Sequence, residues 1–341
     1  MHSRSTIARV IGVFGLSSLL GATSAVAEGY SFTEINVPGY RGSGALALNN
    51  VGQVVGDAAN ATGEVGFIWT KGMLTIVNPG QVTNLTGIND AGLAVGNDES
   101  LTFTYDTVTG QLSPVGSPAG VSLNGQAINL YGMVTGFADL PSVENDVGFI
   151  ALGQKFHSFS VPHHIRPRSG FFTRPSAISN SGKVVGITYD DVTRTYAGFI
   201  YKGGLVTKVI PPNSRDVFHI YISSHDIVTG GFFLSDRIEH GYTFDGANYT
   251  VVDYPGARGT EIMSVDESGA IIGNWLGSSS LPHGFIERKG VFYSIDHPSS
   301  TSTQINAVNG KNTIVGTFST PTGGSVAFIA KCIADQPECT P

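Results

Sequence analysis

Two stretches of this 341-residue chain carry residue types at spacings suited to chemistry. The first is Pro162-His163-His164-Ile165-Arg166-Pro167-Arg168-Ser169-Gly170-Phe171-Phe172-Thr173-Arg174-Pro175. Arg166, Arg168 and Arg174 can each hold a carboxylate, sulfate or phosphate through a planar fork of N–H donors. Phe171 and Phe172 can stack on a ligand's face, so these five residues form the candidate ligand-binding set. The competing reading is a lid that packs its aromatics on the body of the protein and pairs its arginines with nearby aspartates. The second stretch holds Tyr221 and His219, which share one face of an extended strand. With His164 as a further candidate, they are groups able to move protons in catalysis. Against that stands a tyrosine that simply fills a gap in the core.

Metal chemistry has thinner support. Asp190-Asp191 can contribute oxygens to Ca²⁺, which takes about six to eight of them, yet no loop has a D-x-D-x-D-G spacing. Asp57, Asp98, Asp139, Glu144, Asp146 and Asp236 read as solvated charges on other loops. His157, His163 and His164 lack partners at ligand spacing. No G-x-S-x-G, H-E-x-x-H, G-x-x-x-x-G-K-[ST] or G-x-G-x-x-G occurs. The expectation is therefore no secure metal and no cofactor.

Charge and hydropathy narrow the class. Net charge is −7 and only 13% of residues are charged, while 41% are hydrophobic. An acidic chain without a basic run is a poor nucleic-acid binder. Beyond the N-terminus no apolar stretch approaches the ~20 residues of a membrane span. Arg4 and Arg9, the apolar run Val10 to Leu20, and Ala25-Val26-Ala27 stand in the order of a secretory leader. Residues 1–27 are thus predicted to be a signal peptide. Its removal leaves 17 basic and 26 acidic residues, a net of −9. The expected location is secreted or periplasmic. There Cys332 and Cys339 are expected to pair and pin the tail, 332–341. A loop that short gains little from closure entropy.

The elements that must position these groups are repeats. A glycine closes a β-like phrase seven times, at Gly56, Gly96, Gly136, Gly186, Gly230, Gly273 and Gly316. The mean interval is about 43 residues, and the longest, 50, contains the Arg/Phe stretch. Eight residues before each landmark stands an aliphatic: Leu48, Ile88, Ile128, Ile178, Ile222, Val265 or Val308. Seven before it stands Asn49, Asn89, Asn129, Ser179, Ser223, Asp266 or Asn309, side chains that bond their own backbone and start turns. About eleven residues after it comes an aromatic: Phe67, Phe103, Phe149, Phe199, Tyr242, Phe285 or Phe328. Each unit reads as four short strands, the size of a propeller blade. The last unit lacks its fourth strand, and Tyr30 to Gly39 resembles the missing piece. The predicted fold is all-β: a seven-bladed β-propeller over residues 28–331, closed by the N-terminal strand in the last blade. Positions nine before the landmark should crowd the axis: Ala47, Gly87, Ala127, Ala177, Tyr221, Ser264 and Ala307. Tyr221 makes blade five the irregular one.

The unit Gly87-Ile88-Asn89-Asp90-Ala91-Gly92, with Val95-Gly96 after it and triplets such as His283-Gly284-Phe285, resembles the HAF repeat of bacterial exported proteins. The resemblance covers about residues 30 to 330. Only His240-Gly241-Tyr242 and His283-Gly284-Phe285 keep the triplet histidine, which argues against a shared ring of histidines. The resemblance implies export and a propeller-like β fold, and no particular reaction.

Two functions fit. One is a non-catalytic binding or scaffold protein for an extracellular polymer, glycan or protein, held through the loop face with the Arg/Phe stretch as main contact. The other is a polysaccharide lyase or hydrolase acting on an acidic glycan. There a loop arginine would neutralise a substrate carboxylate while Tyr221 and a histidine move protons. A monomer is expected.

Overall fold

A computed structural model of the protein describes residues 18–19, 24–27 and 29–339, apart from 81, 100, 141–145, 163–171, 191–193, 267 and 334–338. Of the candidate residues, His163, His164, Arg166, Arg168, Phe171 and Asp191 lie outside the described residues, as does the side chain of Asp190.

The described residues form seven antiparallel sheets. Blade one is typical: Gly42–Leu48 is innermost, followed outward by Gln53–Asn60, Gly63–Thr70 and Met73–Val77. The innermost strands of the other blades are Thr83–Ile88, Ser122–Ile128, Thr173–Ile178, Asp216–Ile222, Thr260–Val265 and Ser302–Val308. Each innermost strand touches that of the next blade, and the seventh touches the first, which closes the ring. The seam is where the repeat frame placed it. Tyr30–Ile35 pairs along Ser325–Cys332, from Tyr30 opposite Cys332 to Ile35 opposite Ala327, and becomes the fourth strand of blade seven. Within the predicted leader, Ser24–Ala27 pairs with Tyr30–Thr33, and Ser18–Leu19 with Met73–Leu74.

The landmark glycines answer to sterics. None of the seven has a positive φ. Each innermost strand carries a bulge, and a carbonyl beside it presses against the landmark. A Cβ on Gly56 would lie 1.9 Å from the Gly44 carbonyl oxygen, and one on Gly136 1.9 Å from that of Asn124. The repeat aromatic fills the remaining space: a Cβ on Gly186 would lie 2.7 Å from Phe199 Cζ. The glycine before the aromatic has a different reason. A Cβ on Gly66, Gly241 or Gly284 would meet Leu85, Ile262 or Ile305 of the next blade at 2.7–2.8 Å. These glycines are slots that let an aliphatic of the following blade seat against the sheet.

The turn residues link the blades. Asn89 Oδ1 accepts the N–H groups of Ala91 and Leu93, as the turn chemistry predicts. Its amide also reaches the next blade: Asn49 donates to the Asn89 carbonyl at 2.9 Å, Asn89 to Asn129 at 2.9 Å, and Asn129 to Ser179 at 3.1 Å. Asn309 donates to the Asn49 carbonyl at 2.9 Å across the seam. Ser179, Ser223 and Asp266 have no side-chain amide to donate, so this chain of bonds runs from blade seven through blade four only.

Cys332 and Cys339 form a disulfide. Ile333 N–H donates to the Gly29 carbonyl at 2.9 Å, so the bridged tail lies against the start of the closing strand.

Candidate functional site

The two ends of the ring differ in chemistry. At the end formed by the Asn turns, neighbouring turns bond one another around the axis. Asn50 N–H donates to Asp90 at 2.7 Å and Leu130 N–H to Asn180 at 3.0 Å. The opposite end collects the loops between second and third strands and those between blades.

On that loop face an aromatic ledge runs from blade three to blade five. The Arg174 guanidinium lies 5.1 Å from the Phe137 ring and 5.0 Å from the Phe172 ring, within cation–π range. Phe172 is 5.9 Å from Tyr196, Tyr196 is 5.1 Å from Phe218, and Phe218 is 5.3 Å from Phe233. Tyr189 meets Tyr196 edge-on at 5.7 Å. Arg174 is also held by Asp146, at 2.6 Å from Nη2 and 2.7 Å from Nε. Of the candidate binding set, then, Phe172 and Arg174 stand together on the ledge, and Arg174 has an aspartate partner, as the lid reading expected.

Blade five is irregular in a specific way. In the other six blades the unpaired residue of the innermost strand is Leu46, Thr86, Gln126, Ser176, Met263 or Asn306, beside the residue that faces the landmark. In blade five it is Phe218, two ladder steps nearer the loop face. A bulge re-aims side chains, and here Phe218 is 40% exposed. Phe218 and His219 line a pocket of about 380 Å³ with Arg215, Asp216, Phe233, Leu234, Arg237 and Glu239.

Below it lies a hydrogen-bonded cluster. His219 Nδ1 is 2.9 Å from Glu239 Oε1 and 3.3 Å from Glu261 Oε1. The Tyr221 hydroxyl donates to Glu261 Oε1 at 2.9 Å. Burial alone would lower the His219 pKa, but the Glu239 hydrogen bond and the charges of Glu261 and Glu239 outweigh it and raise the value above the ordinary 6.5. Burial raises Glu261 above the ordinary carboxylate range, opposed in part by His219. Burial, reinforced by the Glu261 charge, holds the Tyr221 hydroxyl well above its ordinary value. Tyr221 and His219 therefore meet on one carboxylate, while Arg174 is engaged elsewhere with Asp146. Among the described residues no group of three or more His, Cys, Asp or Glu is arranged to hold a metal ion.

No family model matches the sequence, and no curated protein is similar to it in sequence. Solved structures are similar. The β-propeller domain of the Trilobed protease from Pyrococcus furiosus shares 12% identity over 89% of this chain and 98% of that one, with a TM-score of 0.55. YCF48 bound to D1 peptide shares 6% over 92% and 100%, with a TM-score of 0.56. The acylaminoacyl peptidase of Pyrococcus horikoshii shares 11% over 86% and 52%, with a TM-score of 0.57. The likeness is one of fold. This chain spans about half the length of that peptidase. The Pyrococcus furiosus domain is described as having an open velcro topology, whereas the ring here is closed by Tyr30–Ile35 on Ser325–Cys332.

Sequence reasoning missed Glu239 and Glu261. A signal for Glu261 existed. The carbonyls that press on the landmarks belong to Gly44, Asn84, Asn124, Arg174, His219, Glu261 and Gln304. These residues stand twelve before the landmark, or eleven in blade five. That column is the polar one of the innermost strand. Glu239 had no such column; it is reached only through the fold.

The two triplet histidines are structural. His240 Nδ1 is 2.9 Å from Asp253 and His283 Nδ1 3.0 Å from Asp296. Each joins the start of a third strand to the end of the fourth.

Proposed function

We propose that the protein is an exported propeller of the HAF-repeat kind that binds an extracellular polymer or glycan through the loop face of blades three to five. The observation that carries this reading is the continuous ledge Phe137–Arg174–Phe172–Tyr196–Phe218–Phe233. Aromatic faces set in a row beside guanidinium groups suit a chain-like ligand with alternating apolar and polar surfaces. The Arg/Phe stretch, including Arg166, Arg168 and Phe171, belongs by sequence to the connection between blades three and four. Export rests on the leader and agrees with the Cys332–Cys339 disulfide.

The test is a thermal-shift screen against acidic and neutral polysaccharides, with wild type beside a Tyr196→Ala, Phe218→Ala, Phe233→Ala variant. A ligand that binds the folded state raises the melting temperature. The wild type should shift and the variant should not. An equal shift in both would place the ligand off the ledge.

A second reading, a lyase or hydrolase on an acidic glycan, is favoured by Tyr221 and His219 meeting at Glu261, with Glu239 also on His219. It requires polymer turnover that Glu261→Gln and Tyr221→Phe each abolish without loss of binding. Binding with no turnover by the wild type leaves the first reading alone.

A further inference from the structure

The blade-five pocket has features that narrow its ligand, given the loop-face reading on which this inference rests. Its volume of about 380 Å³ lies at the small end of ligand sites, room for one ring rather than a long segment. Its wall is apolar: Phe218, Phe233 and Leu234. Its other side is polar, with His219 and Glu239 joined at 2.9 Å. The Nδ1 of His219 is taken up by Glu239, which leaves Nε2 as the remaining ring nitrogen on a side chain that is 44% exposed. A purely apolar occupant would strip water from that imidazole and carboxylate without replacing its hydrogen bonds, an unfavourable exchange. The occupant therefore needs one apolar face and a hydroxylated edge.

Charge adds a third constraint. Arg215 is 3.5 Å from Asp216, and Asp216 also accepts the Tyr196 N–H at 2.9 Å. Glu239 is matched by His219. Arg237 has no ion-pair partner among the described residues and sits in the pocket wall. Its backbone is fixed by a turn in which its own N–H donates to the Leu234 carbonyl at 3.2 Å, with φ at +64°, and its side chain is exposed. A guanidinium with no ion-pair partner among the described residues, beside a ring-sized apolar slot, matches a planar carboxylate on the ring that fills the slot.

We infer that this pocket takes one hexuronate unit of an acidic polysaccharide. The apolar face of the sugar lies on Phe218 and Phe233, its hydroxyls meet His219 and Glu239, and its carboxylate pairs with Arg237. The displaced bulge is what creates the slot, because in the other blades no bulge of the innermost strand turns a residue out at this level.

The experiment is calorimetric titration of the full chain with hexamers of galacturonate, glucuronate-containing hyaluronan and mannuronate. The fully methyl-esterified galacturonate hexamer serves as a neutral ligand of matching shape. At least one acidic hexamer should bind. Arg237→Gln should weaken it tenfold or more, and by the same factor that esterification weakens the wild type. Phe218→Ala should weaken acidic and esterified ligands alike. Phe218 also packs on Tyr196 and Phe233, so the melting temperature of the variant is measured beside wild type to separate a loss of folding from a loss of contact. If acid and ester bind equally and Arg237→Gln changes nothing, the inference falls, while a loss in Phe218→Ala still upholds the loop-face reading. Binding that neither substitution weakens overturns both. If no uronate hexamer binds, or a sulfated neutral sugar alone binds, the hexuronate assignment is overturned. The polysaccharide screen with the triple variant then decides the loop-face reading separately.

Discussion

Tyr242 occupies the position that is phenylalanine in the other six repeats, and its hydroxyl is fully buried with no hydrogen-bond partner among the described residues. Leaving a buried hydroxyl unpaired costs about 1–3 kcal/mol. Tyr242→Phe should therefore stabilise the protein by about 1 kcal/mol, read as a higher denaturant midpoint at unchanged slope. The landmark glycines make the opposite case. Gly136→Ala drives a methyl into the Asn124 carbonyl and should cost about 3 kcal/mol, since backbone on both sides must move. A stability within about 0.5 kcal/mol of wild type, the range of an ordinary surface change, would contradict the steric account. His219 adds a pH dependence. Its folded pKa is raised above 6.5, so its contribution is complete below that pH and is lost as pH rises through the folded value. The raised Glu261 has the same sign. The melting temperature should fall as pH increases beyond about 6.5, and His219→Gln should flatten part of that slope.

At the scale of elements, most of what the repeat frame promised is present: strand, Asn turn, strand, aromatic strand, outer strand. Periodicity is legible because each blade must solve the same packing problem with the same small and large residues. An added Cβ on Gly87 would meet the Ala127 Cα at 3.5 Å, so these two small residues of neighbouring blades lie in contact range. Two things were not legible. The turn asparagines read as local, yet they also bind the next blade, a contact about 40 residues away that no local pattern encodes. The bulge at Phe218 was hidden because it changes register by pairing, not by length. Tyr221 stood out as too large for its column, but nothing showed that Phe218 would be turned outward. The Asn links carry their own prediction. Asn89→Ala removes the acceptor for two N–H groups and the donor to Asn129, and should cost about 2 kcal/mol in chemical denaturation. The same substitution at Ser223, which makes no amide link, should cost less.

At the scale of the molecule, the seam concentrates the risk. His297 is buried against Phe318 at 3.7 Å and Phe32 at 5.1 Å, the latter on the closing strand. Burial lowers its pKa below 6.5, opposed only in part by Glu34. A lowered value means that its contribution is present above 6.5 and is lost as pH falls toward the folded pKa. Acidification from about pH 7 to about pH 5 should therefore loosen the seam first, seen as faster amide exchange along Tyr30–Ile35 than along Gly42–Leu48. His297→Phe should suppress that difference. Uniform exchange across both strands after acidification would show that the histidine does not govern the seam.

The closing strand also imposes an order in time. Phe32 pairs with Ala330, about 300 residues later in the chain. The segment of the ring that is synthesised first must therefore wait for the one synthesised last. Until Ser325–Cys332 has emerged, Tyr30, Phe32 and Ile35 have no sheet to bury them, and the unfinished ring has two open edges that invite the wrong partners.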